Sequence, residues 1–122
     1  MWKVDAFPNG DLRDLRNDQE YLYLFWEASA FNSALVESLR LDHSKPFCVP
    51  GDQICVFLDK ALARLGLNFR ERCDMITYWL AQLLARPFNV IYFVEQQHYQ
   101  EAAGLDISPS PDVIIRVFMV FG

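Results

Sequence analysis

Between residues 52 and 85 apolar side chains recur twice at helical spacing, whereas on either side of this stretch they alternate or run in short blocks. That change of period, from 3.6 to 2, constrains the chain more than any other feature. Ile54, Leu58, Ala61 and Leu65 form the first stripe, widened by Phe57 and Leu62. Asp52 stands where a carboxylate caps free backbone amides, and Gly66 where a left-handed residue closes a helix. A second helix starts at Asn68, with Glu71 at capping-box spacing, and its stripe is Phe69, Cys73, Ile76, Leu80 and Leu83. Arg86 suits the negative helix end, and Pro87 stops it.

The flanks read as strands. Trp2 to Phe7 is short and ends in the turn Pro8-Asn9-Gly10-Asp11. The charged stretch 11–20 reads as a loop. Tyr21 to Ala28 is apolar on both faces, which predicts a central strand covered on each side. Residues 29–49 have no clear period, and Pro46 and Pro50 break what precedes them. After the helices come a strand over 88–94, a short polar helix over 95–103, a short strand over 105–108, and a last strand over 113–121. The fold class expected is α+β, a mainly antiparallel sheet of about four to five strands packed against a central helical hairpin. At 122 residues, one domain over 1–122 is expected, either whole or as part of a longer protein.

Apolar residues make up 52% of the chain and aromatics 15%, enough to predict an ordered domain with an aromatic core. Cys48, Cys55 and Cys73 leave one thiol over in any pairing, which fits a reducing, cytoplasmic setting; Cys55 and Cys73 fall in helices, where they read as small core residues. No signal-peptide layout opens the sequence, and no apolar run has membrane-spanning length. A net charge of −5 argues against nucleic-acid or anionic-membrane partners.

The candidate sites are few. The two helices resemble a helix–turn–helix, but the second carries Asp74, Thr77, Tyr78 and Gln82 after Arg70 and Arg72, which suits a packed hairpin better than DNA reading. His43, His98 and the three cysteines match no metal spacing, and neither a nucleophile elbow nor a Cys–His motif is present, so no cofactor or metal is expected. Arg116 and Glu27 each interrupt an apolar strand face, where a charge is costly unless paired. They read either as one salt bridge across the sheet or as the polar lining of an anionic-ligand pocket. Ser108-Pro109-Ser110-Pro111-Asp112 reads as a rigid turn whose two Ser-Pro steps would also suit proline-directed kinases. Trp2, Tyr21, Tyr23, Tyr78 and Tyr92 exceed what a small core can bury, and Tyr and Trp are common interface anchors.

Trp2-Lys3-Val4-Asp5-Ala6, Tyr21 through Ala28, Phe47-Cys48-Val49-Pro50-Gly51, Ile76-Thr77-Tyr78-Trp79-Leu80 and the closing Ile107-Ser108-Pro109, Pro111-Asp112 and Arg116-Val117-Phe118-Met119 carry a resemblance that spans nearly the whole chain. In these residues the chain resembles an uncharacterised α+β domain family of bacteria and mushroom-forming fungi. The resemblance implies a shared fold and supplies no catalytic residues. Some bacterial relatives look like C-terminal parts of longer exported proteins, which would imply export. The function expected is a non-enzymatic domain binding another protein or itself; the alternative is an anionic-ligand binder or minor enzyme with a pocket near Arg116.

Overall fold

The computed structural model describes residues 1–25 and 45–122. The chain divides into two units, Met1–Phe31 and Asn32–Gly122, and contains two antiparallel three-stranded sheets with helices, an α+β architecture. The strands near the two termini do not share a sheet, contrary to the expectation that they would pair.

In the first unit β1 (Val4–Ala6), β2 (Leu12–Asp14) and β3 (Gln19–Tyr21) form a meander. Its strands are three residues long and joined by tight turns, so each finds its partner locally at small loop-closure cost. The Pro8–Asp11 turn forms as expected, closed by the Phe7 amide donating to the Asp11 carbonyl at 2.9 Å. The stretch 11–20, read as a loop, instead holds β2 and the start of β3. Asp5 and Arg13 face each other in register and pair at 2.7 Å, an opposite-charge cross-strand pair of the kind that favours a sheet. At the end of β2 the buried Asp14 accepts from the Arg16 amide at 2.9 Å and takes the Arg16 guanidinium on both oxygens. Asp18 turns the chain with a φ of 57°, a conformation short polar side chains tolerate.

The expected central strand 21–28 is corrected over its described part: the strand ends at Tyr21, and Leu22, Tyr23 and Phe25 are each 57% exposed. Residues 26–28 lie outside the described residues. The apolar pattern alone could not reveal that Leu22, Tyr23 and Phe25 would stand in water.

In the second unit β4 (Phe47–Pro50), β5 (Phe88–Val94) and β6 (Phe118–Phe121) form the sheet in that order. A 3-10 turn at Gly51–Gln53 leads into α1 (Ile54–Arg64), followed by α2 (Phe69–Leu84); α3 (Gln96–Ala102) lies between β5 and β6 in sequence. Asp52 therefore sits inside the 3-10 turn and caps nothing; Gln53 holds the cap position without a side-chain bond. The end of α1 follows the expectation. Gly66, at φ 99°, lets its amide reach the Ala63 carbonyl and the Leu67 amide reach the Leu62 carbonyl, a Schellman closure. The α2 capping box is complete: Asn68 Oδ1 accepts from the Glu71 amide at 3.0 Å, and Glu71 accepts from the Asn68 amide at 2.7 Å.

The core is aliphatic. Val49, Ile54, Leu58, Leu62, Leu83 and Ile91 are buried together, and Phe57, Trp79, Phe93 and Phe121 surround them half-buried. The aromatic core expected from composition is thus an aromatic rim. In α2 the buried face runs through Met75, Ile76, Trp79, Leu80 and Leu83, while Phe69 and Cys73 of the expected stripe are exposed. Arg72 occupies the inner face instead, donating to Asp59 of α1 at 2.8 Å and to the Leu67 carbonyl at 3.0 Å. Leu65 and Cys55 are likewise exposed rather than buried.

Two expected strands are shortened or lost. Residues 105–108 form none, and of 113–121 only Phe118–Phe121 pairs, with β5. Val113 and Ile115 are exposed. Gln96 accounts for the loss: its side-chain amide donates to the Ile114 carbonyl at 2.8 Å and accepts from the Arg116 amide at 3.0 Å, taking the backbone groups a neighbouring strand would have used.

Two predictions follow from these local geometries. The Arg16 hydrogen bonds hold the Asp14 carboxyl down at about 2, against an ordinary 3.8. A depressed carboxylate stabilises the folded state above its ordinary pKa and ceases to as pH falls through about 2. An NMR titration of the Asp14 carboxyl carbon should show that midpoint, and Arg16→Gln should return it towards the ordinary range. At Gly51 an added Cβ would run into the Arg86 carbonyl oxygen, a backbone atom that cannot step aside. Gly51→Ala should therefore destabilise the chain by about 1–3 kcal/mol, read from urea unfolding.

Candidate functional site

Phe57 departs from the buried Ile54, Leu58 and Leu62 line of α1 by one position. A helix turns about 100° per residue, so this offset places it on the flank of the helix, with Lys60, Ala61 and Arg64 following at i+3, i+4 and i+7. That flank meets the start of β4 and the far end of β5. Phe47 and Phe57 lie with ring centroids 5.2 Å apart, and Phe57 and Phe93 6.4 Å apart with planes inclined at 24°. With Ala61 and Leu65 they line an open groove of about 380 Å³, whose remaining lining residues among the described ones are Lys60 and Arg64. Phe47 is 49% exposed and Leu65 41%, so apolar surface stands in water here at some cost. Both basic side chains are exposed, and neither makes an ion pair among the described residues. Aromatic floor, aliphatic wall and basic rim are all set on a helix and two strands, which hold a site more tightly than loops do.

The expected interface residues are divided between the units. Trp2, Tyr21 and Tyr23 come together, with Phe25, around a concavity of about 560 Å³ in the first unit, whose charged members include Asp14 and Arg16, bonded to each other. Tyr78 is exposed on α2 against the edge of Trp79, and Tyr92 is half-buried on β5. Neither lines the groove. Sequence reasoning missed Phe47, Lys60, Arg64 and Phe93 as a group; the i, i+3, i+7 flank from Phe57 was the one signal that pointed there.

Arg116 is buried at 9% exposure. Its Nη1 donates to Gln100 Oε1 at 2.5 Å and to the Ala103 carbonyl at 2.6 Å, and its guanidinium carbon lies 4.1 Å over the Tyr99 ring. Ala103 is the C-cap of α3, so the cation sits on the negative end of that helix. Tyr99 in turn stacks on Phe118 at 4.6 Å, which ties α3 to β6. Glu27 and His43 lie outside the described residues. Neither described concavity is lined by Arg116. Among the described residues no three of His, Cys, Asp and Glu gather where they could hold a metal ion, and no helix is long and apolar enough to cross a membrane. All three cysteines are free and exposed.

Arg116→Met would keep the apolar stem over Tyr99 and remove both charged hydrogen bonds. Bonds from a charged donor contribute about 1.5–3 kcal/mol each, and loss of the pair should lower stability by at least about 2 kcal/mol in urea unfolding. Unchanged stability would remove Arg116 from the framework and return it to the list of ligand contacts. No family model, curated protein or solved structure matches this chain.

Proposed function

We propose that this chain is a non-enzymatic protein-interaction domain whose contact site is the Phe47–Phe57–Phe93 groove. The observation that carries this reading is the exposure of a continuous aromatic and aliphatic surface on rigid elements beside two basic side chains. Partially exposed aromatic anchors ringed by polar groups are what protein interfaces use for most of their binding energy. A second copy of the chain is one partner that such a surface accommodates. The anionic-ligand alternative at Arg116 has less support, because that guanidinium already serves Gln100, Ala103 and Tyr99.

Site-specific photo-crosslinking tests the reading. A benzophenone amino acid at position 47 should give discrete adducts in an extract of the source cells, and one at the exposed Gln82 should not. Excess wild-type chain should suppress those adducts, and excess Phe47→Ser chain should fail to. An adduct of twice the chain mass would identify self-association. Absence of adducts from position 47, or the same adducts from position 82, rules the groove out as the contact site.

A further inference from the structure

We infer that the groove receives an acidic peptide segment carrying a bulky apolar side chain. This inference rests on the interaction reading above and goes on to name the chemistry of the partner. Two observations on the same surface carry it. The apolar lining of Phe47, Phe57, Leu65 and Phe93 offers rings and methyl groups with no polar side chain among them. An occupant must therefore bring an aromatic or aliphatic anchor to gain from the site.

Among the described residues the only charges lining the groove are Lys60 and Arg64, one helical turn apart on α1, and both are positive. The nearby acid on α1, Asp59, is bonded to Arg72 and is not part of the lining. The chain as a whole carries −5, so this basic pair opposes the general sign of the protein. At physiological ionic strength charges are screened beyond about 8 Å, so a ligand seated in the groove feels Lys60 and Arg64 far more than the distant acids. Carboxylates spaced along the ligand beside its apolar anchor meet these two side chains, and a basic segment would be repelled.

A single-stranded nucleic acid is the other anionic polymer that aromatic and basic side chains can hold. It needs a basic track along several phosphates, and two cations in an acidic chain do not make one. The acidic peptide is the better match.

The test is a fluorescence-anisotropy titration of the full chain with three labelled probes: a short peptide alternating Glu with Phe and Leu, its twin with Lys for every Glu, and an oligothymidine. The wild-type chain should bind the Glu peptide and not its Lys twin, and rising salt should weaken the complex. The double reversal Lys60→Glu with Arg64→Glu should weaken the Glu peptide by about tenfold or more and create binding of the Lys twin. Both positions are exposed, so circular dichroism should show the fold retained. Equal binding of both peptides, each lost in Phe47→Ser, overturns the acidic preference while leaving the groove as the contact site. Binding of the Glu peptide that ignores both the charge reversal and Phe47→Ser overturns the groove itself. Tighter binding of the oligothymidine, or no binding of any probe, overturns the proposal.

Discussion

The described part of the 32–122 unit, from residue 45 onward, is arranged about one strand. β5 carries Asn89 and Ile91 completely out of water, with Ile91 packed in the cluster of Val49, Leu58, Leu62 and Leu83. Burying one such aliphatic side chain contributes about 1.5–3 kcal/mol, and the cluster draws on β4, β5, α1 and α2 at once. Asn89 meets this setting halfway: its Nδ2 donates to the Leu83 carbonyl at 3.0 Å, an end-of-helix acceptor that also takes the Arg86 amide at 3.4 Å, while its buried Oδ1 has no hydrogen-bond partner among the described residues. One polar side chain thereby fastens the middle strand to the end of the second helix. Gly51, directly after β4, makes a similar junction: its amide reaches the Pro87 carbonyl at 2.9 Å, and its missing Cβ leaves room for the Arg86 carbonyl oxygen.

The other side of β5 is organised by substitution of side-chain groups for backbone ones. Val94 of β5 pairs with Phe118 of β6, and the ladder goes no further toward residue 113. Upstream of Phe118, Gln96 brackets Ile114 and Arg116, and Arg116 closes the C-terminal end of α3. A glutamine side-chain amide presents N–H donors beside a carbonyl acceptor, as a peptide unit presents one of each, so it can stand in for one residue of a neighbouring strand. The β5–β6 ladder thereby stops at Val94 and Phe118, and a seven-residue helix with little apolar surface is anchored by Tyr99 against Phe118.

This division between local and distant causes explains what could be read from the sequence. The Asn68–Glu71 box, the Gly66 closure, and the 88–94 strand between Pro87 and a polar helix are specified by residues within a few positions of each other, and they form as the sequence indicates. The strand expected over 113–117 fails because the deciding group, the Gln96 amide, is 18 to 20 positions away. The inner face of α2 departs from the expected stripe at Phe69 and Cys73, where Arg72 turns inward by finding Asp59, 13 positions back on α1, and at Met75 and Trp79, which join the packed face. The Asp14–Arg16 turn is legible in principle, since Asp14 and Asn17 accept from backbone amides two residues on and Asp18 takes a positive φ, but the charges of the run suggest a loop rather than two strands and a turn.

The groove is a consequence of the same geometry. β4 begins at Phe47, directly after Pro46, which has no amide to donate to a ladder, so the β4–β5 pairing ends at Phe47 and Ile91. β5 continues to Val94, and Phe93, on the same sheet face as Ile91, projects beyond the last residue of β4 that pairs with it. α1 supplies Phe57 to that corner, but one helix flank cannot fill the space that a longer β4 would have closed. Three rings therefore meet at the place where the sheet runs short, and Lys60 and Arg64 flank them because the helix repeats its surface every three to four residues. The apolar exposure is thus built into the ends of regular elements rather than left on a loop, and a partner's side chain entering the corner would restore the burial that the short strand forgoes.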